Sequence, residues 1–176
     1  MKHIGIIYGS DTGATEDVTR VMVDMFEHEV ELIEVCDAEV EDFSRFDLVI
    51  LGLSTWYDGD LQSYWEDYYD TFKTIDFKGQ IVAIFGLGDQ HGYGEYFIDG
   101  VGILAEVVLE NGGTLIGHWP ANDYEHTESK ALMDEQTFYG LALDEDNEQD
   151  LTEDRLKRWI VQLAKEYEVA LTAINA

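Results

Sequence analysis

Residues 3–15, HIGIIYGSDTGAT, carry the strongest indication of the fold. The segment His3–Tyr8 is a short apolar run rich in isoleucine, and it leads into a polar turn at Gly9–Gly13. An amphipathic helix is predicted to follow, from Ala14 to about His28, because apolar side chains recur there at helical spacing. A strand that passes through such a turn into a helix is the beginning of a βαβ unit.

The same alternation of strand and helix continues to the end of the chain. Further apolar runs predict strands at Val30–Val35, Leu48–Leu53, Ile81–Leu87, Thr114–Trp119 and Thr137–Leu143, the last two separated by an irregular polar segment at about 120–136. Amphipathic stretches predict helices at about Leu61–Tyr69, at Tyr93–Leu109, and from an N-cap at Thr152 onward. Because the central runs are apolar on successive residues, the sequence predicts an α/β fold with a doubly wound parallel sheet that helices cover on both faces.

Length and charge limit the class of protein. The 176 residues suit a single domain, and the chain carries 38 acidic against 10 basic residues, a net charge of −28. Such a charge repels nucleic acid and anionic membranes. It is compatible both with solubility alone and with attraction of a partner that has a basic surface.

The remaining composition predicts a cytoplasmic protein without a metal site. Cys36 is the single cysteine, which excludes an internal disulfide and suits a reducing compartment. Since it ends a predicted strand, we expect it to be a small apolar filler of the core rather than a redox residue. The five histidines show no ligand spacing, and no segment reads as a signal peptide or a membrane span.

The first candidate binding loop is Ser10–Thr15 (SDTGAT), which follows the first strand. Ligands of parallel α/β sheets bind beyond the carboxyl ends of the strands, and the N–H groups at a helix start can hold a phosphate without a cation. The loop lacks both the lysine of a Walker loop and the G-x-G-x-x-G pattern of a dinucleotide site. It therefore favours a terminal monophosphate, and the competing interpretation is an ordinary helix cap.

Two further loops bring aromatic residues to the same edge of the sheet. Trp56 lies in Ser54–Gly59 (STWYDG), where it either folds back onto the core or stacks on a planar ligand. Gly86–Gly94 (GLGDQHGYG) is rich in glycine, which lets a ligand approach the backbone closely. It contains Tyr93, which either caps the next helix or is a second aromatic wall. A phosphate cradle and two aromatic residues at one edge favour a flat phosphorylated ligand such as FMN.

Four motifs in this order resemble those of the long-chain flavodoxins, over nearly the full length of the chain. SDTGAT is similar to that family's [TS]-x-T-G-x-T phosphate loop. Thr55–Trp56 with Gly59 is similar to its second ligand loop, and Gly88–Gln90 with Gly92–Tyr93 to its third. The run Gly140–Asn147 (GLALDEDN) is also typical of the family. The resemblance implies a flavodoxin-like doubly wound five-stranded parallel sheet, whose last strand is interrupted by an insertion at about 120–136.

The resemblance also implies a function and a set of site residues. The expected protein is a monomeric, low-potential one-electron carrier with non-covalently bound FMN and no substrate turnover of its own. Its expected phosphate contacts are Ser10, Asp11, Thr12, Gly13, Ala14 and Thr15. Trp56 and Tyr93 would enclose the flavin ring, with Asp89 at its pyrimidine edge. The other expected cofactor contacts are Ser54, Thr55, Tyr57, Asp58, Gly59, Gly88 and Asp146. Expected partners are a donor of the flavodoxin/ferredoxin-NADP reductase type and acceptor redox enzymes with basic faces.

Two other classes of protein compete with this interpretation. An FMN-dependent NAD(P)H quinone reductase on the same fold would need an open site for NAD(P)H and quinone, and the sequence offers no nucleotide-binding basic residues near these loops. A phospho-acceptor receiver would need paired acids after the first strand, an aspartate ending the third and a lysine ending the fifth. Those places hold Tyr8–Ser10, Leu53–Ser54 and Gly117–His118, so the receiver class is excluded.

Overall fold

The computed structural model describes residues 3–174. Over this range the strands are β1 (His3–Tyr8), β2 (Glu29–Glu34), β3 (Leu48–Trp56), β4 (Asp60–Leu61), β5 (Ile81–Leu87), β6 (Thr114–Ile116), β7 (Trp119–Pro120), β8 (Leu132–Asp134), β9 (Thr137–Phe138) and β10 (Leu141–Leu143). The α-helices of the same range are α1 (Ala14–Met25), α2 (Ser63–Phe72), α3 (Asp99–Glu110) and α4 (Thr152–Ile174). No helix in the described part of the chain is both long and apolar enough to cross a membrane.

The main sheet runs in the order β2–β1–β3–β5–β10, and these strands are all parallel. The chain moves outward from β1 to β2, then returns across β1 to β3 and continues to β5. Because βαβ crossovers are right-handed, this reversal places helices on opposite faces of the sheet. The predicted doubly wound α/β fold is therefore confirmed, and its crevice lies where β1 and β3 end.

The position beside β5 is filled by two separate segments. β6 pairs with the first half of β5, where Thr114 lies opposite Ile81, and β10 pairs with the second half, where Leu143 lies opposite Leu87. Residues 117–140, here called the insertion, leave the main sheet and contain the small antiparallel sheet β7–β9–β8. The interruption is wider than the expected 120–136 because Gly117, at φ 81°, turns the chain out of the sheet directly after β6.

The core forms around the central strands. Side chains of β1, β3 and β5 are buried along most of their length, and burying each large apolar side chain stabilises the fold by roughly 1.5–3 kcal/mol. α4 contributes Leu156, Trp159, Leu163 and Tyr167 as the sequence predicts. Thr152, however, is the first residue of α4 rather than its N-cap, because a 3₁₀ helix at Gln149–Leu151 runs directly into it.

Two local predictions are wrong for identifiable reasons. α3 begins at Asp99 rather than near Tyr93, because Ile98 has φ 50° and a helix cannot continue through a left-handed residue. Residues 93–98 form successive turns instead. Cys36 is exposed, not a buried filler, since β2 ends at Glu34 and Val35 takes the buried position in the 3₁₀ helix that follows.

Candidate functional site

A cleft of about 360 Å³ lies beyond the carboxyl ends of β1, β3 and β5. We call it the ligand cleft. Its lining comes from four segments that are distant in sequence: Thr12, Ala14, Thr15, Ser54, Thr55, Trp56, Tyr57, Leu87, Gly88, Asp89, Tyr93, Glu145 and Asp146. The sheet therefore gathers residues of all three predicted loops, and of the segment after β10, at its reversal point.

The turn before α1 presents unused hydrogen-bond donors to the ligand cleft. The Ser10 hydroxyl accepts from the N–H of Gly13 at 3.1 Å and from that of Glu16 at 3.4 Å, which shapes the turn. Five neighbouring N–H groups have no acceptor within residues 3–174: those of Ser10, Asp11, Thr12, Ala14 and Thr15. Free donors at the positive end of a helix dipole are an anion site.

Thr15 adds a hydroxyl to this donor group. The residue is only 1% exposed and lines the ligand cleft, yet its hydroxyl makes no hydrogen bond in the described part of the chain. No lysine or arginine contributes to the cleft lining. The residues present thus suit a phosphate that is held by neutral N–H and O–H groups rather than by a cation.

Asp11 serves a different purpose from its neighbours. Its carboxylate accepts from the Gln62 amide at 3.0 Å, from the Ser63 N–H at 3.4 Å and from the Ser63 hydroxyl. Asp11 therefore anchors the turn to the start of α2, and its side chain does not line the ligand cleft. Its N–H group remains one of the free donors described above.

The end of β3 supplies the aromatic part of the lining. The Trp56 indole N–H donates to the Ser54 hydroxyl at 2.8 Å, which holds the indole at the ligand cleft instead of on the core. The next residues form a turn, closed by the Gly59 N–H donating to the Trp56 carbonyl at 3.1 Å. Tyr57 has φ 44° in this turn and Tyr93 is exposed on the lining.

Carboxylates surround the remaining part of the ligand cleft. Asp89 accepts from the N–H of Gly92 at 2.7 Å and from the Asn147 amide at 2.9 Å, and these bonds hold the pKa of its carboxyl below the usual value. Burial raises the pKa of Asp146, and the negative charges of Asp89 and Asp144 raise it further. This rim is electrostatically unfavourable for any ligand that gains negative charge.

A buried polar network fixes the loops behind this rim. The Asp144 carboxylate accepts from the backbone and side-chain nitrogens of Gln90 and of Asn147, at 2.8–3.1 Å. The Gln90 side-chain oxygen in turn accepts from the N–H of Glu125, in the insertion, at 2.8 Å. The network therefore ties three segments together: the one after β5, the one after β10, and the insertion.

The structure gathers most, but not all, of the predicted site residues. The ligand cleft contains Thr12, Ala14, Thr15, Ser54, Thr55, Trp56, Tyr57, Gly88, Asp89, Tyr93 and Asp146. Outside its lining lie Ser10, Asp11, Gly13, Asp58 and Gly59, which shape or flank the two turns. Sequence reasoning missed Leu87 and Glu145. Two signals in the sequence could have indicated these residues. Leu87 ends a predicted strand, and Glu145 lies in the run Gly140–Asn147 that is typical of the family.

This geometry is that of a doubly wound α/β protein with a mononucleotide-sized ligand site at the reversal point of its sheet. Comparisons with known proteins agree with this description of the fold and the site. The flavodoxin family model matches residues 6–159. A flavodoxin from Nostoc sp. (strain PCC 7120) is 46% identical over 167 residues, which cover 94% of this chain and 98% of the relative. The flavodoxin of Klebsiella pneumoniae is 40% identical, with coverage of 94% and 95%.

A comparison with solved structures also finds a flavodoxin. The crystal structure of Fusobacterium nucleatum flavodoxin bound to flavin mononucleotide superposes with a TM-score of 0.89 at 30% identity, and the match covers 94% of this chain and 99% of that one. The chain belongs to the flavodoxin family.

Proposed function

We propose that this protein is a low-potential one-electron carrier that holds FMN non-covalently in the ligand cleft. Flavodoxins are electron-transfer proteins rather than enzymes, and the chain belongs to that family. The observation that carries the proposal is the composition of one cleft, in which the free N–H groups before α1 occur together with Trp56 and Tyr93. Bound FMN supplies the one-electron chemistry, and the protein supplies binding, orientation and electrostatics.

The phosphate of FMN is assigned to the turn before α1. The N–H groups of Asp11, Thr12, Ala14 and Thr15 and the Thr15 hydroxyl are free to donate to its oxygens. Gly13, at φ 95°, allows the turn to direct these groups into one site. A neutral cradle of this kind leaves the phosphate charge uncompensated by lysine or arginine.

The electron affinity of the bound group is tuned by the aromatic and acidic parts of the lining. Trp56 and Tyr93 exclude water from the ring, and the carboxylates of Asp89, Glu145 and Asp146 oppose additional negative charge. For a one-electron step, about 59 mV of potential corresponds to roughly 1.4 kcal/mol. A few kcal/mol of such opposition is enough to make FMN a low-potential donor.

The partners are redox proteins: in this proposal, a donor of the flavodoxin/ferredoxin-NADP reductase type and acceptor enzymes with basic faces. The net charge of −28 supports steering of such partners toward the protein. A monomeric single domain, a cytoplasmic location and membership of the long-chain type belong to the same proposal. The insertion between β6 and β10 supports the last of these. The quinone reductase alternative is not favoured, because the relatives are flavodoxins.

Spectroscopy and calorimetry of the purified protein test the proposal. We expect a yellow protein that releases its flavin in acid, and two separable one-electron steps in a dithionite titration followed by visible absorption. The FMN-free protein should bind FMN far more tightly than riboflavin, which lacks the phosphate. NADPH oxidation by the protein alone should be negligible. A colourless preparation with no heat of FMN binding would overturn the proposal.

A further inference from the structure

A buried carboxylate lies against the turn that follows β3. Asp99, the first residue of α3, is only 2% exposed. A Cβ atom on Gly59 would come within 2.7 Å of the Asp99 Oδ2 atom, so the Gly59 backbone packs directly against this carboxylate. The next residue, Gly100, donates its N–H to the Thr55 hydroxyl at 3.0 Å. The start of α3 therefore contacts residues on both sides of Trp56.

The cation that faces Asp99 comes from the insertion. The Lys130 N–H donates to Asp99 Oδ1 at 2.7 Å, and the Lys130 ammonium lies 3.4 Å from Asp99 Oδ2. Among the described residues, no other lysine or arginine forms an ion pair with Asp99. The Asp99 carboxylate is buried, whereas the Lys130 side chain is 61% exposed, so Asp99 depends on Lys130 both for a backbone N–H bond and for a partly solvated cation.

The backbone around Lys130 is itself fixed against α3 and the turn that precedes it. The Ser129 hydroxyl donates to the Phe97 carbonyl at 2.5 Å. The Lys130 carbonyl packs against Gly102, where a Cβ atom would come within 2.1 Å of the oxygen. The insertion thus holds Lys130 at one place on α3, which is what a defined contact with Asp99 requires.

We propose that Lys130 and Asp99 are a positioning pair for the ligand cleft. Lys130 holds the Asp99 carboxylate against Gly59, and Asp99 holds the turn Trp56–Gly59 so that Trp56 and Tyr57 line the cleft. The insertion then supports the ligand cleft through Lys130, which acts on the cleft by way of Asp99. Neither residue is part of the cleft lining. This inference rests on the proposed function for the identity of the ligand, but not for the effect on the turn.

The chain offers a matched control for Lys130. Lys157 has a similar exposure, 57% against 61%, and it also forms one ion pair, 3.2 Å from Glu153. The partner differs, since Glu153 is 67% exposed and lies on α4. Lys130→Met and Lys157→Met therefore make the same change of charge, and only the first leaves a buried carboxylate without its cation.

Amide hydrogen exchange of the protein as purified tests the pair without reference to the ligand. We expect the Gly59 and Gly100 amides to exchange at least about tenfold faster in Lys130→Met than in the unsubstituted protein, because each donates a hydrogen bond that the pair supports. Lys157→Met should leave both rates unchanged. Equal rates in the two variants would overturn the inference, whether or not the protein contains FMN.

FMN release on dilution, followed by flavin fluorescence, separates positioning from charge. Lys130→Met and Asp99→Asn change the charge in opposite directions, so a long-range effect on the FMN phosphate would weaken binding in one and strengthen it in the other. A positioning role predicts weaker binding in both, by about tenfold, the loss expected for one charge-assisted hydrogen bond. Opposite changes, or no change, would refute the pair, whereas failure of the unsubstituted protein to bind FMN would refute only the proposed function.

Discussion

Asp144 is a fully buried carboxylate that holds together the loops behind the ligand cleft. Replacing it with alanine removes the only described acceptor of three nitrogens: the backbone and side-chain nitrogens of Gln90 and the backbone nitrogen of Asn147. The side-chain nitrogen of Asn147 keeps its bond to Asp89. An unsatisfied buried donor costs about 1–3 kcal/mol, and water entering the vacated space keeps each value near the lower limit.

The expected loss of stability for Asp144→Ala is therefore about 3 kcal/mol, from three donors at about 1 kcal/mol each. That is a large part of the 5–15 kcal/mol typical of a folded domain. For a chain of this size it corresponds to a decrease in Tm of roughly 6–12 °C. Urea denaturation of the FMN-free protein should show a lower midpoint with an unchanged m value.

Asp146→Ala is the matched control, because the same substitution two residues away removes a carboxylate that forms no hydrogen bond within residues 3–174. We expect its stability to remain within about 0.5 kcal/mol of the unsubstituted protein. A loss below about 1 kcal/mol for Asp144→Ala, or equal effects of the two substitutions, would show that the Asp144 network does not stabilise the loops.

Three further predictions concern the cofactor, the insertion and the surface charge. Trp56→Ala should weaken FMN binding and raise the potential of the second reduction step, since an aromatic wall is lost; unchanged affinity and potentials in a dithionite titration would place Trp56 away from the flavin. Burial lowers the pKa of His126, whose ring packs on Phe97 and Phe138, so the folded state binds a proton there less readily than the unfolded chain. Stability should therefore fall as the pH drops below about 6.5. His126→Phe should reduce this loss between pH 7.5 and 5 in urea denaturation, and an identical pH profile would contradict the assignment. The association rate with a basic redox partner should decrease as salt is added, and a salt-independent rate in stopped-flow measurements would exclude steering.

The sequence predicts those parts of the fold in which local pattern and tertiary structure agree. β1, its turn and α1 could be derived because an apolar run, a glycine turn and helical spacing occur in immediate succession. The start of α3 could not, because Phe97 continues the helical spacing of α3 toward the N-terminus and no local pattern marks the left-handed backbone of the buried Ile98. The exposure of Cys36 depends on which residue after β2 takes the buried place, and strand periodicity ends at that point.

For the ligand cleft, the residue types in the sequence predicted which loops form the site. They did not predict what each side chain does there. Ser10 and Asp11 occur in the right loop, but their side chains bond to the turn and to α2 because both lie beside unsatisfied helix N–H groups. Asp99 and Lys130 gave no signal in the sequence, since 31 positions separate them and only the path of the insertion brings them together. Contacts of this kind follow from topology and not from a motif.

The divided strand beside β5 has a consequence for chain length. The insertion leaves the sheet after Ile116, opposite Ala83, and returns at Leu141, opposite Phe85, so its two ends lie only about 7 Å apart along β5. For a loop anchored at such close points, each doubling of length costs only about 0.6 kcal/mol of closure entropy. The sheet alone would accept a much longer or shorter segment here. What restricts the length of this segment is therefore its attachment to the rest of the fold, which includes the contacts with Gln90, Phe97 and Asp99.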